Sequence, residues 1–182
     1  IINGLKQSGL TFVSSLNHVT PHRLCIVVSG LTSRQPDIRD ERRGPRVDSA
    51  DIAIQGFLRS VGLNRNDLEI RETDKGKFLF AVVETPGEET KLILPRIIET
   101  AIRELPWPKS MRWGSNSFRW VRPLHHVMAI FDKNKLEGSI NLGNDKIEFS
   151  STTKGHRFLA PQLFEVTSFS DYKTKLYQAY VI

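Results

Sequence analysis

The 182-residue chain holds one cysteine, no internal repeat, no low-complexity tract and no apolar run long enough to span a bilayer. Each absence excludes something. A lone thiol, Cys25, cannot form an internal disulfide, and its place in the apolar run "LCIVV" is that of a packed thiol, so a reducing, intracellular setting is expected. Without a stretch of about 20 apolar residues there is no membrane partner to expect, and a soluble, cytoplasmic protein follows. The phosphate-cradling GxxxxGK[ST] loop, the HExxH zinc signature and the GxSxG elbow are also missing. No residue is therefore expected to be catalytic, and none to hold a metal.

What is present is ordinary in bulk, with 39% hydrophobic and 25% charged residues, so disorder is not in play. The length suits one domain, or one domain and part of another. Lys and Arg exceed Asp and Glu by 26 to 20, a net charge of +6, which favours an anionic partner such as RNA, DNA or a phosphorylated surface, or is merely a basic exterior. The chain opens at "IINGLKQSGL" without methionine and ends at "YKTKLYQAYVI", a pattern of helix still under way, so a piece of a longer polypeptide is expected.

Strand-like and helix-like patterns alternate, an α+β class. Residues 22–31, "HRLCIVVSGL", read as a strand covered on both faces. The polar "TSRQPDIRDERRGPRV", with two prolines, reads as a long loop. Asp48 or Ser49 is placed to cap a helix whose Ile54, Phe57, Leu58 and Val61 form one face, with Gly62 to end it. "EIRETDKGKFLFAVVET" reads as two strands joined by a turn over 74–77, in which Gly76 takes positive φ. Thr85 and Glu88 stand at capping-box spacing with Pro86 at a first helical position, ahead of a helix that Pro95 kinks or begins. After residue 123 the segments "LHHVMAIF", "KLEGSI" and "KIEFSST" suggest an antiparallel meander, and a last helix starts near Ser170.

All three tryptophans, Trp107, Trp113 and Trp120, fall in "PWPKSMRWGSNSFRWVRPLHH", among Lys109, Arg112, Arg119 and Arg122. Arginine forks grip phosphate and flat rings stack on bases, so the mixture suits RNA. Equally, the indoles suit core anchors with arginines laid on them as cation–π partners. His125 and His126 are adjacent, point to opposite faces of a strand and cannot share a metal without help. "RDERRGPR" offers Arg39, Arg42, Arg43 and Arg46 against Asp40 and Glu41, either an arm that orders on RNA or a solvated loop. "TKGHRF" holds His156 and Arg157 on a tight turn with Phe158 as anchor, suited to a phosphate or carboxylate contact or to a purely structural turn.

Taken in order, "RRGPR", "PKSMRWG", "VRPLHHV" and "GHRF" resemble the beta subunit of the bacterial two-subunit glycyl-tRNA synthetase, over about residues 22–158. The resemblance implies the amino-terminal part of a longer subunit that binds or positions glycine tRNA, or builds the α2β2 assembly. It places the glycine and ATP chemistry, with its Mg, in the alpha subunit, and no cofactor on this chain. It also implies a B3/B4-type domain, like that of the phenylalanyl-tRNA synthetase beta subunit, over 1–168, with 169–182 starting a helix toward a next domain. The family motif falls on Lys109, Met111, Arg112, Trp113 and Gly114, on Arg122, Pro123 and His125, and on Gly155, His156, Arg157 and Phe158. Under that resemblance Lys109, Arg112, Arg122 and Arg157, with His125, His156, Arg42, Arg43 and Arg46, face tRNA or a partner subunit, while Trp113, Gly114, Pro123, Gly155 and Phe158 hold the turns. Two departures stand out: the family's "GTEELP"-like opening is absent, and His22 stands where arginine is usual. Rival readings are a stand-alone RNA-binding module and a structural domain whose basic surface is incidental.

Overall fold

The computed structural model describes residues 1–74 and 76–181. The described residues carry four α-helices and twelve short strands, an α+β fold. They form two compact units, Ile1–Gln35 with Glu88–Ile182, and Pro36–Gly87. The second unit is an insertion in the first, and the entry and exit strands are tied where they meet. Gln35 N–H donates to the Glu88 carbonyl (2.9 Å), Glu88 N–H to the Gln35 side-chain oxygen (3.1 Å), and the Gln35 amide to the Ser8 carbonyl (2.6 Å).

In the inserted unit, β3 (Ile38–Arg46), β4 (Leu68–Thr73) and β5 (Gly76–Thr85) form an antiparallel sheet in the order β3-β5-β4. Alternation along β5 sends Leu79 and Ala81 to one face, where both are buried. Helix α2 (Asp51–Val61) covers that face with Ile54 and Leu58, four residues apart on one side of the helix. Gly62 ends α2 in the left-handed region (φ 68°), its N–H bonded to the Leu58 carbonyl. Neither Asp48 nor Ser49 caps the helix; Ala50 occupies the N-cap without a side-chain bond. The polar stretch expected as a loop is largely β3. Its prolines do not prevent this, because Pro36 precedes the strand and Pro45 lies in the register shift between Arg43 and Arg46, where no ladder N–H is needed. The β4–β5 turn forms as expected with Gly76 at φ 110°; Lys75 lies outside the described residues.

The larger unit starts with α1 (Ile2–Gln7) and a hairpin of β1 (Ser14–Thr20) and β2 (Arg23–Ser29). A two-stranded ribbon offers little cover, so β2 is not enclosed on both faces: Leu24 and Ile26 stay exposed. Helix α3 (Thr90–Arg103) begins later than the capping-box spacing suggests, since Thr85 still pairs with Ile38 in the sheet. Thr90 instead donates its hydroxyl to the Thr32 carbonyl and its N–H to the Ser33 carbonyl. Pro95 lies inside the helix. Ile93, Leu94 and Ile97 of α3 pack with Leu5 and Leu10 against Ile140, Leu142 and Phe149.

The last three come from β9 (Ser139–Asn141), the turn after it, and β10 (Lys146–Ser150). The region departs from a pure meander. β10 pairs antiparallel with β9 but parallel with β6 (Val127–Met128), while β7 (Ile130–Phe131) and β8 (Asn134–Lys135) form their own ribbon. Next come β11 (Thr152–Lys154), antiparallel to β12 (Leu163–Glu165), and α4 (Phe169–Gln178). Ser168 caps α4 by accepting the Asp171 N–H (3.1 Å), and Asp171 pairs with Lys175 one turn on (2.9 Å). The Lys175 ammonium and the Thr167 N–H hold the Asp171 carboxyl below the usual carboxylate range.

Ile140→Ala should destabilise the protein by about 2–5 kcal/mol, as for a fully buried side chain, whereas Ile70→Ala, 61% exposed, should stay within about 0.5 kcal/mol in the same denaturant series. Because the Asp171 pKa is lowered on folding, its contribution is complete above the ordinary carboxylate pKa and is lost as pH falls through the depressed one. Acid unfolding of Asp171→Asn, followed through α4 amide exchange, should lack that component.

Candidate nucleic-acid interface

The tryptophan segment is built as a closed loop. Met111 N–H donates to the Trp120 carbonyl (2.8 Å) and Trp120 N–H to the Met111 carbonyl (3.1 Å), so the chain between them leaves and returns at one point. Within the segment, Trp107 meets Trp120 edge-on (5.1 Å between centroids, 75°), Phe118 stacks on Trp120 (6.1 Å, 19°), and Trp113 meets Phe118 edge-on (5.8 Å, 88°). Such offset and T-shaped arrangements suit the ring quadrupoles. Phe118 and Trp120 are buried, and Trp107 and Trp113 pack against the same core. The Trp107 indole N–H is buried without an acceptor among the described residues.

The far end of the loop is docked on the β9–β10 turn. Asn116 and Asp145 exchange two hydrogen bonds (3.1 Å each), Asn144 donates to the Ser115 carbonyl, and Phe118 N–H to the Leu142 carbonyl. Gly114 takes φ 57° in this loop. The tryptophans are thus the fixed part of the segment. Among the described residues no cation lies over an indole; the cation–π contact here is Arg103 over Phe118 (5.5 Å).

The cations of the segment divide into two kinds. Arg103 is held by Glu99 (2.7 Å) and Arg119 by the Ser110 hydroxyl and carbonyl, so both serve the loop itself. Lys109, Arg112 and Arg122 are exposed and make no hydrogen bond or ion pair to any described residue. They project as open positive charges from a backbone that the aromatic cluster fixes. Pro123 is half-buried beside them and His125 is exposed.

A second group forms where β2, β6 and β11 approach. Arg23 donates from one guanidinium nitrogen to the Thr153 hydroxyl (3.0 Å) and from the other to the Lys154 carbonyl (2.7 Å). Partial burial and the charges of Arg23 and Lys154 together hold the His126 imidazole below its usual range. Beyond Lys154, Gly155 is buried against Ala179 of the α4 end, a closeness that leaves no space for a Cβ, and His156 N–H donates to the Ala179 carbonyl (2.8 Å). His156 Nδ1 accepts the N–H groups of Phe158 and Leu159 (3.3 and 3.2 Å), which leaves Nε2 as the ring's donor. Phe158, expected to anchor this turn, is 75% exposed, with Arg157 over its ring (5.2 Å). The turn is closed by the His156 ring and by the packing of Gly155 on Ala179.

Sequence reasoning passed over Arg23, His126 and Lys154 as a group, because only tertiary pairing brings them together. One signal was readable: Arg23 is in phase with Cys25 and Val27, the half-buried positions of β2, where a cation needs a partner.

The third expected patch, Arg42, Arg43 and Arg46, lies in the inserted unit and is largely engaged. Arg42 pairs with Asp40 (3.2 Å), Arg43 lies over Phe78 (3.7 Å) and Arg46 is near the same ring (5.8 Å). Beside them Arg71 bridges Glu41 and Glu69 (2.8 and 2.6 Å), holding the Glu41 carboxyl below its usual range. This is a braced sheet face rather than a free arm.

Among the described residues no group of three His, Cys, Asp or Glu side chains could hold a metal ion. Over residues 1–182 the chain matches the family described as glycyl-tRNA synthetase beta subunit. The chain belongs to that family. It is 46% identical to the glycine–tRNA ligase beta subunit of Rhodospirillum centenum over 203 residues, 47% to that of Dinoroseobacter shibae over 182, and 45% to that of Paracoccus denitrificans over 182. Each alignment takes in 100% of this chain and 28%, 25% and 27% of the respective relative. The chain thus spans about a quarter of the length of the curated relatives it matches. Within this glycyl-tRNA synthetase family member, Lys109, Arg112 and Arg122 belong to the larger unit, and Arg39, Arg42 and Arg71, which brace the three-stranded sheet, to the insertion.

Lys109→Ala, Arg112→Ala and Arg122→Ala should each leave the unfolding midpoint within about 0.5 kcal/mol of the parent, and Trp120→Ala should cost about 3–5 kcal/mol. Trp107→Phe removes a buried donor that has no acceptor, so its penalty should be far smaller than that of Trp120→Ala.

Proposed function

We propose that this chain supplies a tRNA-contacting surface to the beta subunit of a cytoplasmic glycine–tRNA ligase, acting with an alpha subunit in an α2β2 assembly. The observation that carries the reading is the set of unpaired cations in a member of this family, Arg112 on the closed aromatic loop and Lys109 and Arg122 on the chain flanking its base. Open guanidinium and ammonium groups on a fixed backbone bind phosphate without first breaking internal ion pairs or ordering a loop. Aminoacylation belongs to the whole assembly, with glycine, ATP and Mg handled by the alpha subunit. This chain's share is orientation of the tRNA.

A second reading, contact with the partner subunit, draws on Phe158 and Leu159, 75% and 64% exposed at one turn. Solvent-facing side chains of this size at a loop tip suit a protein surface as well as a nucleic acid.

The test is binding of glycine tRNA and of an unrelated tRNA to the assembled enzyme across a salt series, with Arg112→Ala and Arg122→Ala alongside. Selective binding, with the salt dependence reduced by about 0.7–0.9 in slope for each contact removed, supports the tRNA reading. Unchanged affinity and slope in both variants would overturn it. Loss of the alpha subunit on substituting Phe158 would favour the second reading.

A further inference from the structure

The group around Arg23 is separate from the tryptophan loop in both sequence and construction. Arg23 reaches it from β2, His126 from the residue before β6, and Lys154 from the end of β11. Arg23 is the rigid member. Its two bonds to Thr153 and the Lys154 carbonyl fix the plane of the guanidinium and leave its other N–H groups free to donate. Lys154 and His126 are exposed, and the Lys154 ammonium makes no hydrogen bond or ion pair among the described residues. The charged groups that act on His126 are Arg23 from β2 and Lys154 from β11, and no carboxylate is among them. The geometry thus sets a guanidinium, fixed by Thr153 and the Lys154 carbonyl, beside the residue that carries an unbonded ammonium, and the charges of both act on the His126 imidazole.

We propose that Arg23, Lys154 and His126 form a phosphate-binding site that takes a backbone phosphate of RNA. The pre-set guanidinium gives a directional donor pair, the ammonium adds a mobile charge, and the imidazole gives a third donor once protonated. A neighbouring anion offsets the two cations that disfavour the imidazolium, so binding draws a proton onto His126. RNA is the source of phosphate favoured here because the site lies in a glycyl-tRNA synthetase beta subunit family member, and to that extent the inference rests on the tRNA reading above.

The experiment measures glycine tRNA binding by the assembled enzyme across salt and from about pH 8 to pH 6, for the parent, Arg23→Gln, Lys154→Gln and His126→Gln. Lys154→Gln carries most weight, because that side chain supports nothing in the fold, whereas Arg23→Gln also breaks two internal bonds. Lys154→Gln and Arg23→Gln should each weaken binding by about tenfold, as for a hydrogen bond between charged groups, and lower the salt slope by about 0.7–0.9. The parent should bind more tightly as pH falls, and His126→Gln should flatten that dependence. If tRNA binds with a slope that responds to Arg112→Ala but not to Lys154→Gln or Arg23→Gln, the phosphate site is wrong while the tRNA reading stands. If the assembly binds no tRNA, both are wrong. If Lys154→Gln releases the alpha subunit and leaves tRNA binding intact, the cluster takes an acidic protein segment and the RNA assignment is overturned.

Discussion

Four aromatic rings in contact, Trp107, Trp120, Phe118 and Trp113, set the position of the tryptophan segment and of the cations it carries. Large rings bury the most surface per residue and have few rotatable bonds, so a segment that carries four of them is held with little conformational freedom. The reciprocal Met111–Trp120 hydrogen bonds close the loop at its base, and the Asn116–Asp145 pair secures its tip. Arg112 is carried between those two fastenings. Its charge is free while its backbone is not, a combination that lowers the ordering cost of binding an anion.

The sheet face of the insertion and the tryptophan segment of the larger unit handle positive charge in opposite ways. On the sheet of the insertion, carboxylates alternate with arginines along and across strands, so Arg39, Arg42 and Arg71 are neutralised locally while Arg43 lies on Phe78. Cross-strand pairs of this kind stabilise an open sheet face modestly and leave little net field. In the larger unit the cations at 109, 112 and 122 have no such partners. The net charge of +6 is therefore a poor guide by itself. What distinguishes a surface able to bind phosphate is which charges are left uncompensated.

Much of the local structure could be read from pattern. The Ile54–Leu58 spacing with Gly62 after it gave α2, and the alternation around Gly76 gave the β4–β5 hairpin, because in both the local period and the buried face agree. The stretch over β3 could not be read that way. Its residues are polar on both sides, and its strand state comes from pairing with β5, a partner about forty residues away in sequence. The start of α3 departs from the capping-box spacing for a related reason: Thr85 has the right neighbours for a cap but is already committed to a sheet. At the candidate site, the ordered motifs point to Lys109, Arg112, Arg122, His156 and Arg157, yet spacing cannot separate Arg119, bonded to Ser110, from Arg112, which has no bonded partner among the described residues. The Arg23, His126 and Lys154 group was invisible to spacing, since three elements far apart in the chain build it.

The open cations of the tryptophan segment are proposed to lie against tRNA. The most direct check is the reactivity of Lys109 toward an amine-acetylating reagent in the assembled enzyme, read by mass spectrometry with and without glycine tRNA, using other exposed lysines of the same chain as reference. The account predicts that Lys109 reacts freely alone and is shielded by glycine tRNA. Equal labelling of Lys109 in both states, with tRNA shown to be bound, would contradict it.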